Sequence, residues 1–495
     1  MTVATPSADL APSRTARPPR GLVVLFGAAG FLGALLLFTI EPLAAKALLP
    51  VLGGSAAVWN TAMAFFQVAL LGGYLTAHLT STRLPRRWQV PVQLVILALP
   101  LLLLPFALPD RRPASESPVL WELGALAVMV GAPFFALATL SPTIQAWFAR
   151  SAHPRARDPF FLYAASNVGS FLGLLAYPLL IEPEFDLIEQ AAWFRWGYVV
   201  LIGVAVAAAL RTPRREEHHV ALEVVNTPVT GRTRFFWVVA AAVPSLTLLA
   251  VSRHIATDVA SFPLLWVVPL ALYLGTFVVA FSKVSGRALA ISRFVFPFVA
   301  IPAVVGTAGV LVSIWLGLGL PLALLVASGL IAHGRLYERR PHARHLTEFY
   351  LWVSVGGAVG GLLGAFFAPA VFESVAEYPI AIIATAALLG GKAGRMRAPV
   401  KVAMAIVYVA ALALALGTPD LTSLSLMVGA AGIATYALAG RSGWMALGLA
   451  GALVPGILFS DGHLLVQERT FFGVYRVLET PDGNHLMVSG TTVHG

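Results

Sequence analysis

Glu41 stands inside an apolar stretch running from Gly21 to Leu49, is followed by Pro42, and has Lys46 five residues on; Asn60, Gln67 and His78 follow in the next apolar stretch. An ionisable side chain within a membrane span is costly, and it faces a partner or a polar cavity. Pro42 lacks the N–H that would bond the carbonyl one turn earlier, as in the broken helices that build transporter sites. Two roles suit Glu41: a cation or proton site, or a carboxylate paired with Lys46 that holds the bundle together. A second group, Arg253, His254 and Asp258, falls where two apolar stretches meet, with His254 and Asp258 one helical turn apart. Asp258 suits a cationic substrate; the same cluster also reads as an ion pair at a helix end, which contributes little. The candidates for substrate or cation binding are therefore Glu41, Lys46, Asn60, Gln67, His254 and Asp258.

Other chemistry is excluded more firmly. The chain has no cysteine, so it has no disulfide, thiolate metal site or cysteine nucleophile. His153, His333, His342 and His345 fall in arginine-rich segments read as loops and lack metal-ligand spacing. Ser166 and Ser354 have no base placed near them and are expected to bond their own helix backbone. Gly356, Gly357, Gly360, Gly361 and Gly364 lack the order, the Lys-Ser/Thr pair and the preceding strand of a phosphate loop. Their spacing is that of close helix packing, as for Gly169 and Gly173. No catalytic residue, metal or cofactor is expected.

The elements that must position these residues are membrane helices. With 58% hydrophobic residues, 11% charged and a mean hydropathy of +0.82, the chain is too apolar for a soluble globular protein. Its formal charge of +10 sits in short clusters between apolar runs, a topology signal and not a nucleic-acid patch, so no nucleic-acid partner is expected. Fifteen stretches approach the roughly 20 residues a span requires, the shortest being Tyr378 to Leu389. Most of the Lys and Arg fall in alternate connections: the tail with Arg14, Arg17 and Arg20, then Arg83 to Arg87, Arg150 to Arg157, Arg211 to Arg234, Lys283 to Arg293, Arg335 to Arg344 and Lys392 to Lys401. The intervening loops are acidic or neutral, with Glu182, Glu184, Asp186 and Glu189 in one and Glu373 and Glu377 in another. The expectation is a multi-pass protein of the cell membrane with a cytoplasmic amino terminus. Fifteen spans would put the carboxyl end outside the cell, and fourteen would put it inside.

The chain also repeats itself. Shifted by 188 residues, FLYAASNVGSFLGLL from Phe161 falls on FYLWVSVGGAVGGLL from Phe349, and Ser166, Gly169 and Gly173 meet Ser354, Gly357 and Gly361. The basic loops before the two segments coincide under the same shift, so the repeat is parallel. The division expected is a disordered cytoplasmic tail (1–20), a six-helix half (21–210), a basic linker (211–234), a second six-helix half (235–389) and further spans (390–460). Residues 461–495 follow, where Phe471 to Leu478, a turn at Pro481 to Asn484 and a return from His485 to Val488 read as a β-hairpin. A two-stranded hairpin without a sheet to pack on is expected to be loosely held.

EPLAAKALLPVLGGSAAVWNTAMAFFQVALLGGYLTAH from Glu41, FLYAASNVGSFLGLLAYPLLIEP from Phe161, SRHIATDVASFPLLWVVPLALYLGTFVVAF from Ser252 and HGRLYERRPHARHLTEFYLWVSVGGAVGG from His333 are similar to fused membrane proteins that pair a major-facilitator-like module with a spermidine-synthase-like domain. The terminal RTFFGVYRV and GTTVHG resemble the opening hairpin of that synthase. The resemblance implies an all-α polytopic fold of two parallel six-helix repeats, about three extra helices, and the start of a synthase domain. It places the family's nucleoside-binding loop and catalytic aspartate beyond the hairpin, so the chain itself is expected to show no aminopropyl transfer. Three functions fit: a transporter-like module for a polyamine or other organic cation, a membrane anchor for a synthase-like domain, or the membrane subunit of a split aminopropyltransferase. The lipid bilayer is the one partner common to all three.

Overall fold

The computed structural model describes residues 21–106, 118–211 except 152 and 158, 229–258, 266–306, 314–341, 345–390, 402, 406, 443, 445–451 and 463–493 except 472, 481, 490 and 491. The amino-terminal tail, most of the linker and most of the last three expected spans lie outside the described residues; of those spans, residues 445–451 are helical, with Met445 and Leu449 buried against the second half.

Helices form where apolar runs are long. The first half holds α1 (Leu22–Leu52), α2 (Ala56–Arg83), α3 (Arg86–Ala98, continued by a 3-10 turn at Leu99–Leu102), α4 (Pro118–Ala149), α5 (Phe161–Glu184) and α6 (Leu187–Arg211). The second holds α7 (Gly231–Asp258), α8 (Val267–Ala280), α9 (Ser285–Gly306), α10 (Ile314–Glu338), α11 (Leu346–Val371) and α12 (Glu377–Leu388). Nine of the described helices are long and apolar enough to cross a membrane. Between α1 and α2, Gly53 takes a left-handed φ of 75° and gives its N–H to Leu49, while the Ser55 hydroxyl accepts from Val58 N–H to cap α2. Arg287 and Arg293, expected in a loop, are inside α9. Arg293 reaches Glu338 at 3.8 Å and the Leu389 carbonyl at 2.9 Å, so its charge is satisfied at the helix end.

Helix directions follow from the glycine contacts. Gly169 and Gly173 of α5 abut the carbonyls of Phe31 and Leu35 of α1, with no room for a Cβ, so the two helices run parallel. Gly356 and Gly360 of α11 abut the carbonyls of Val238 and Ala242 of α7 in the same way. Gly30 and Gly33 of α1 lie against Ile144 and Leu140 of α4, which makes α1 and α4 antiparallel; Gly131 of α4 meets Phe65, and Gly73 of α2 meets Ala138, so α4 and α2 are parallel. The α2 residues Gln67 and His78 meet Gly361 and Thr347 of α11 in reverse order. Hence α1, α5, α7 and α11 all run one way, and the halves form a parallel repeat. The packing is reciprocal: α2 packs on α11, α8 packs on α5, α6 covers α1 and α12 covers α7. A π turn interrupts α5 at Tyr177–Ile181 and α11 at Leu363–Phe367, within about one residue of the same place in each half.

The repeat register differs from the sequence reading by one residue. The residues at the tight crossing are Gly356 and Gly360; Gly357 has no atom near its would-be Cβ, and Gly361 lies against the Gln67 amide. In a run with glycine at 356, 357, 360 and 361, either register matches by residue type, and only the facing helix selects one.

The carboxyl end is more than a hairpin. Four antiparallel strands, β1 (His463–Arg469), β2 (Val474–Glu479), β3 (His485–Ser489) and the two-residue β4 (Thr492–Val493), pair in sequence order. The turn after β2 closes with Thr480 N–H on the Asn484 carbonyl at 2.8 Å, and Gly483 has φ 77°. Phe471 precedes the strand in which it was expected. The sheet is not loosely held: the Arg469 side chain, 2% exposed, forms two bonds to Glu377 at the start of α12 and reaches the carbonyls of Phe372 and Ser374. Because α11 runs with α1, this anchor lies at the end of the bundle opposite the amino terminus.

Candidate functional site

Between the halves lies a cavity of about 150 Å³. Its wall is drawn from α1, α2, α4 and α5 on one side and from α7, α8 and α11 on the other. Among the described residues Glu41 is the one charged side chain in that wall. It is 4% exposed, and its Oε2 has no hydrogen-bond partner among the described residues. Pro42, one residue on, cannot donate to the Phe38 carbonyl, and Phe38 also lines the cavity.

Two further polar atoms of the wall, Gln67 Oε1 and Ser354 Oγ, are buried without a hydrogen-bond partner among the described residues. A buried polar group left unbonded is costly, and such groups in a cavity are where a solute or water binds. The rest of the wall is rings and small residues. Tyr163 and Tyr350 stack across the two halves with centroids 4.9 Å apart, and Tyr350 donates to Gln145 Oε1 of α4 at 2.7 Å. At the other end, one turn from the cavity residue Met63, Trp59 of α2 stacks on Trp266, which precedes α8.

The sequence candidates divide. Glu41 and Gln67 line the cavity, and Gln67 bridges the halves by donating to Ser245 Oγ of α7 at 2.9 Å; Ser245 in turn donates to the Gly357 carbonyl at 3.0 Å. Lys46 is not Glu41's partner: one and a half turns further along α1, it bonds Glu182 at the end of α5 at 2.6 Å. Asn60 is 1% exposed, with its amide atoms unpartnered, but it is outside the cavity wall. His254 stacks on Tyr378 of α12 at 4.5 Å, and its neighbour Arg253 is buried 3.6 Å from Glu377. That cluster therefore belongs to the anchor of the sheet and is not an exposed pair at a helix end. Asp258 closes α7, and its side chain lies outside the described residues.

Two other readings change. His333 is fully buried within α10 and not in a loop: Thr276 Oγ1 is 2.8 Å from its Nδ1, and Phe277 stacks on it at 3.5 Å. Ser354 lines the cavity and Ser166 sits 3.3 Å from Ser141, so both face the site. Sequence reasoning missed Asn167, Tyr163, Tyr273 and Tyr350. The available signal was that Tyr163, Ser166, Asn167 and Ser170 form a polar face at helical spacing within an apolar helix.

No protein-family model matches the chain, and no curated protein matches it. Among solved structures, a D-xylose-proton symporter aligns with a TM-score of 0.45 and 14% identity over 74% of this chain and 97% of that one. A bacterial homologue of the human lysosomal transporter Spinster, in an inward-facing and unoccupied conformation, aligns with a TM-score of 0.44 and 13% identity over 88% and 97%. A bacterial homologue of the human drug peptide transporters PepT1 and PepT2 gives 0.39 and 12% over 88% and 99%. The architecture assigned here rests on the helix packing described above and not on these likenesses. The chain is a multi-pass membrane protein: two parallel six-helix halves around a partly polar central cavity.

Proposed function

We propose that the protein carries an organic cation across the membrane through the cavity between its halves, with Glu41 as the group that meets the positive charge. The observation that supports this is the position of Glu41. It is a lone carboxylate in a largely apolar cavity, with Lys46 turned away to Glu182. In a low-dielectric site such a carboxylate is stabilised either by a proton or by a bound cation, and exchange between the two is the elementary step of coupled transport. Gln67, whose amide touches both the cavity and α7, links occupancy to the fit between the halves.

A membrane anchor that moves nothing is the weaker reading, because a passive scaffold gains nothing from orphaned polar atoms around a central void. Association with a spermidine-synthase-like domain is also less favoured. With the amino terminus in the cytoplasm, as the clustered arginines favour, the anchor of the carboxyl-terminal sheet on Glu377 lies on the side opposite cytosolic nucleosides. Uptake of radiolabelled organic cations into proteoliposomes tests the proposal. Glu41→Gln is expected to abolish uptake of every cation the wild type accumulates, with yield and melting temperature unchanged; normal uptake by that variant removes Glu41 from the path.

A further inference from the structure

Resting on the cation reading, we infer that the site takes a compact ammonium with one positive charge and an apolar body, of the size of benzylammonium, and not a polyamine. Three features of the cavity point the same way.

The first is charge. Glu41 supplies one negative charge, and the other polar groups of the wall, such as Gln67, Asn167 and Ser354, are neutral dipoles. A second ammonium would sit in the low-dielectric interior without a counter-charge, and an unpaired buried charge is strongly disfavoured. The second buried carboxylate of this half, Glu122 of α4, is 0% exposed with both oxygens unpartnered, but it is not part of the cavity wall. Glu377 is already engaged by Arg469. Among the described residues no other carboxylate is placed to receive a second charge of the same solute.

The second is size. A void of about 150 Å³ matches the cavities that hold a benzene-sized molecule. An extended triamine exceeds it.

The third is surface. Phe38, Phe66, Tyr163, Tyr273 and Phe277 line the cavity together with Glu41. Aromatic faces attract a cation and also cover an apolar body, whereas a polyamine offers only short methylene links between charges. Tyr273 and Phe277 are themselves held from behind by His333, against which both rings pack, so this part of the wall is fixed in place.

The test is equilibrium binding of three probes to the purified full-length protein in detergent: benzylammonium, its neutral isostere benzyl alcohol, and spermidine. Benzylammonium is expected to bind at least tenfold tighter than either of the others, and Glu41→Gln is expected to erase its advantage over benzyl alcohol. Ser354→Leu, which fills the cavity and leaves the carboxylate in place, is expected to weaken benzylammonium at least tenfold, and it serves where Glu41→Gln does not fold. Spermidine binding as tightly as benzylammonium overturns the single-charge inference and leaves the cation reading standing. Benzyl alcohol binding as tightly as benzylammonium, or no binding of either cation to folded wild type, overturns both.

Discussion

Arg469 and Glu377 face each other as fork to fork: Nη2 lies 2.6 Å from Oε1, Nη1 lies 3.1 Å from Oε2, and both side chains are 2% exposed. Ninety-odd residues of chain separate them, yet this pair fixes the carboxyl-terminal sheet to the loop between α11 and α12. Arg253 of α7 stands 3.6 Å from the same carboxylate, so α7, α12 and the carboxyl-terminal sheet meet at one acid.

Removing Arg469 takes the bidentate partner from Glu377, leaving it only Arg253 at 3.6 Å, and frees two backbone carbonyls, at a cost of about 1.5–3 kcal/mol for the lost charged hydrogen bonds. Arg469→Ala is therefore expected to release the sheet while the helices persist. Hydrogen exchange should show protection lost across residues 463–493 and retained in α7 and α11. Unchanged protection of the strands would mean that backbone contacts hold the sheet unaided.

The one-residue difference in repeat register gives a sharp contrast between neighbours. Gly360→Ala puts a methyl group against the Ala242 carbonyl and the Ser245 side chain, and is expected to destabilise the protein by about 1–3 kcal/mol. Gly357→Ala meets open space and is expected to change stability by no more than about 0.5 kcal/mol. Thermal melting of the two variants in detergent distinguishes them, and equal effects would return the register to the sequence alignment.

Orientation can be read directly because the chain has no cysteine of its own. A single cysteine at Arg83, at the end of α2 that the clustered arginines assign to the cytoplasm, should resist an impermeant thiol reagent applied to intact cells. One at Asp482, in the exposed turn of the sheet, should react at once. The reverse pattern would invert the assigned topology.

Lys46 and Glu182, about a quarter to a third exposed, form a pair that contributes about 0–1 kcal/mol. The double variant Lys46→Met with Glu182→Gln is expected to keep cation uptake within about twofold of wild type, since a shift of that size is a few tenths of a kcal/mol. Loss of uptake comparable to that of Glu41→Gln would place the pair in the transport path after all.

What the sequence determined by itself was the solvent and the plan of the chain. Apolar runs of spanning length settle burial in lipid, because no other environment accepts them, and the glycines and loop chemistry shared by Phe161 onward and Phe349 onward disclose a parallel repeat. Glu41 and Gln67 stood out for the same local reason: polar groups in apolar helices need a use. Tertiary structure decided what each of them touches. Lys46 chose Glu182 of α5 over Glu41 on its own helix, since at five residues' spacing the two side chains project from different faces. Arg253 found its acid 124 positions away in Glu377, and the sheet found its anchor in the same carboxylate. The tyrosines and serines of the cavity are ordinary one helix at a time. They become a site because seven helices from two halves turn them toward one void, a relation that exists only after packing; the polar face of Tyr163, Ser166, Asn167 and Ser170 is periodic in the sequence, but nothing in that stretch says what it faces.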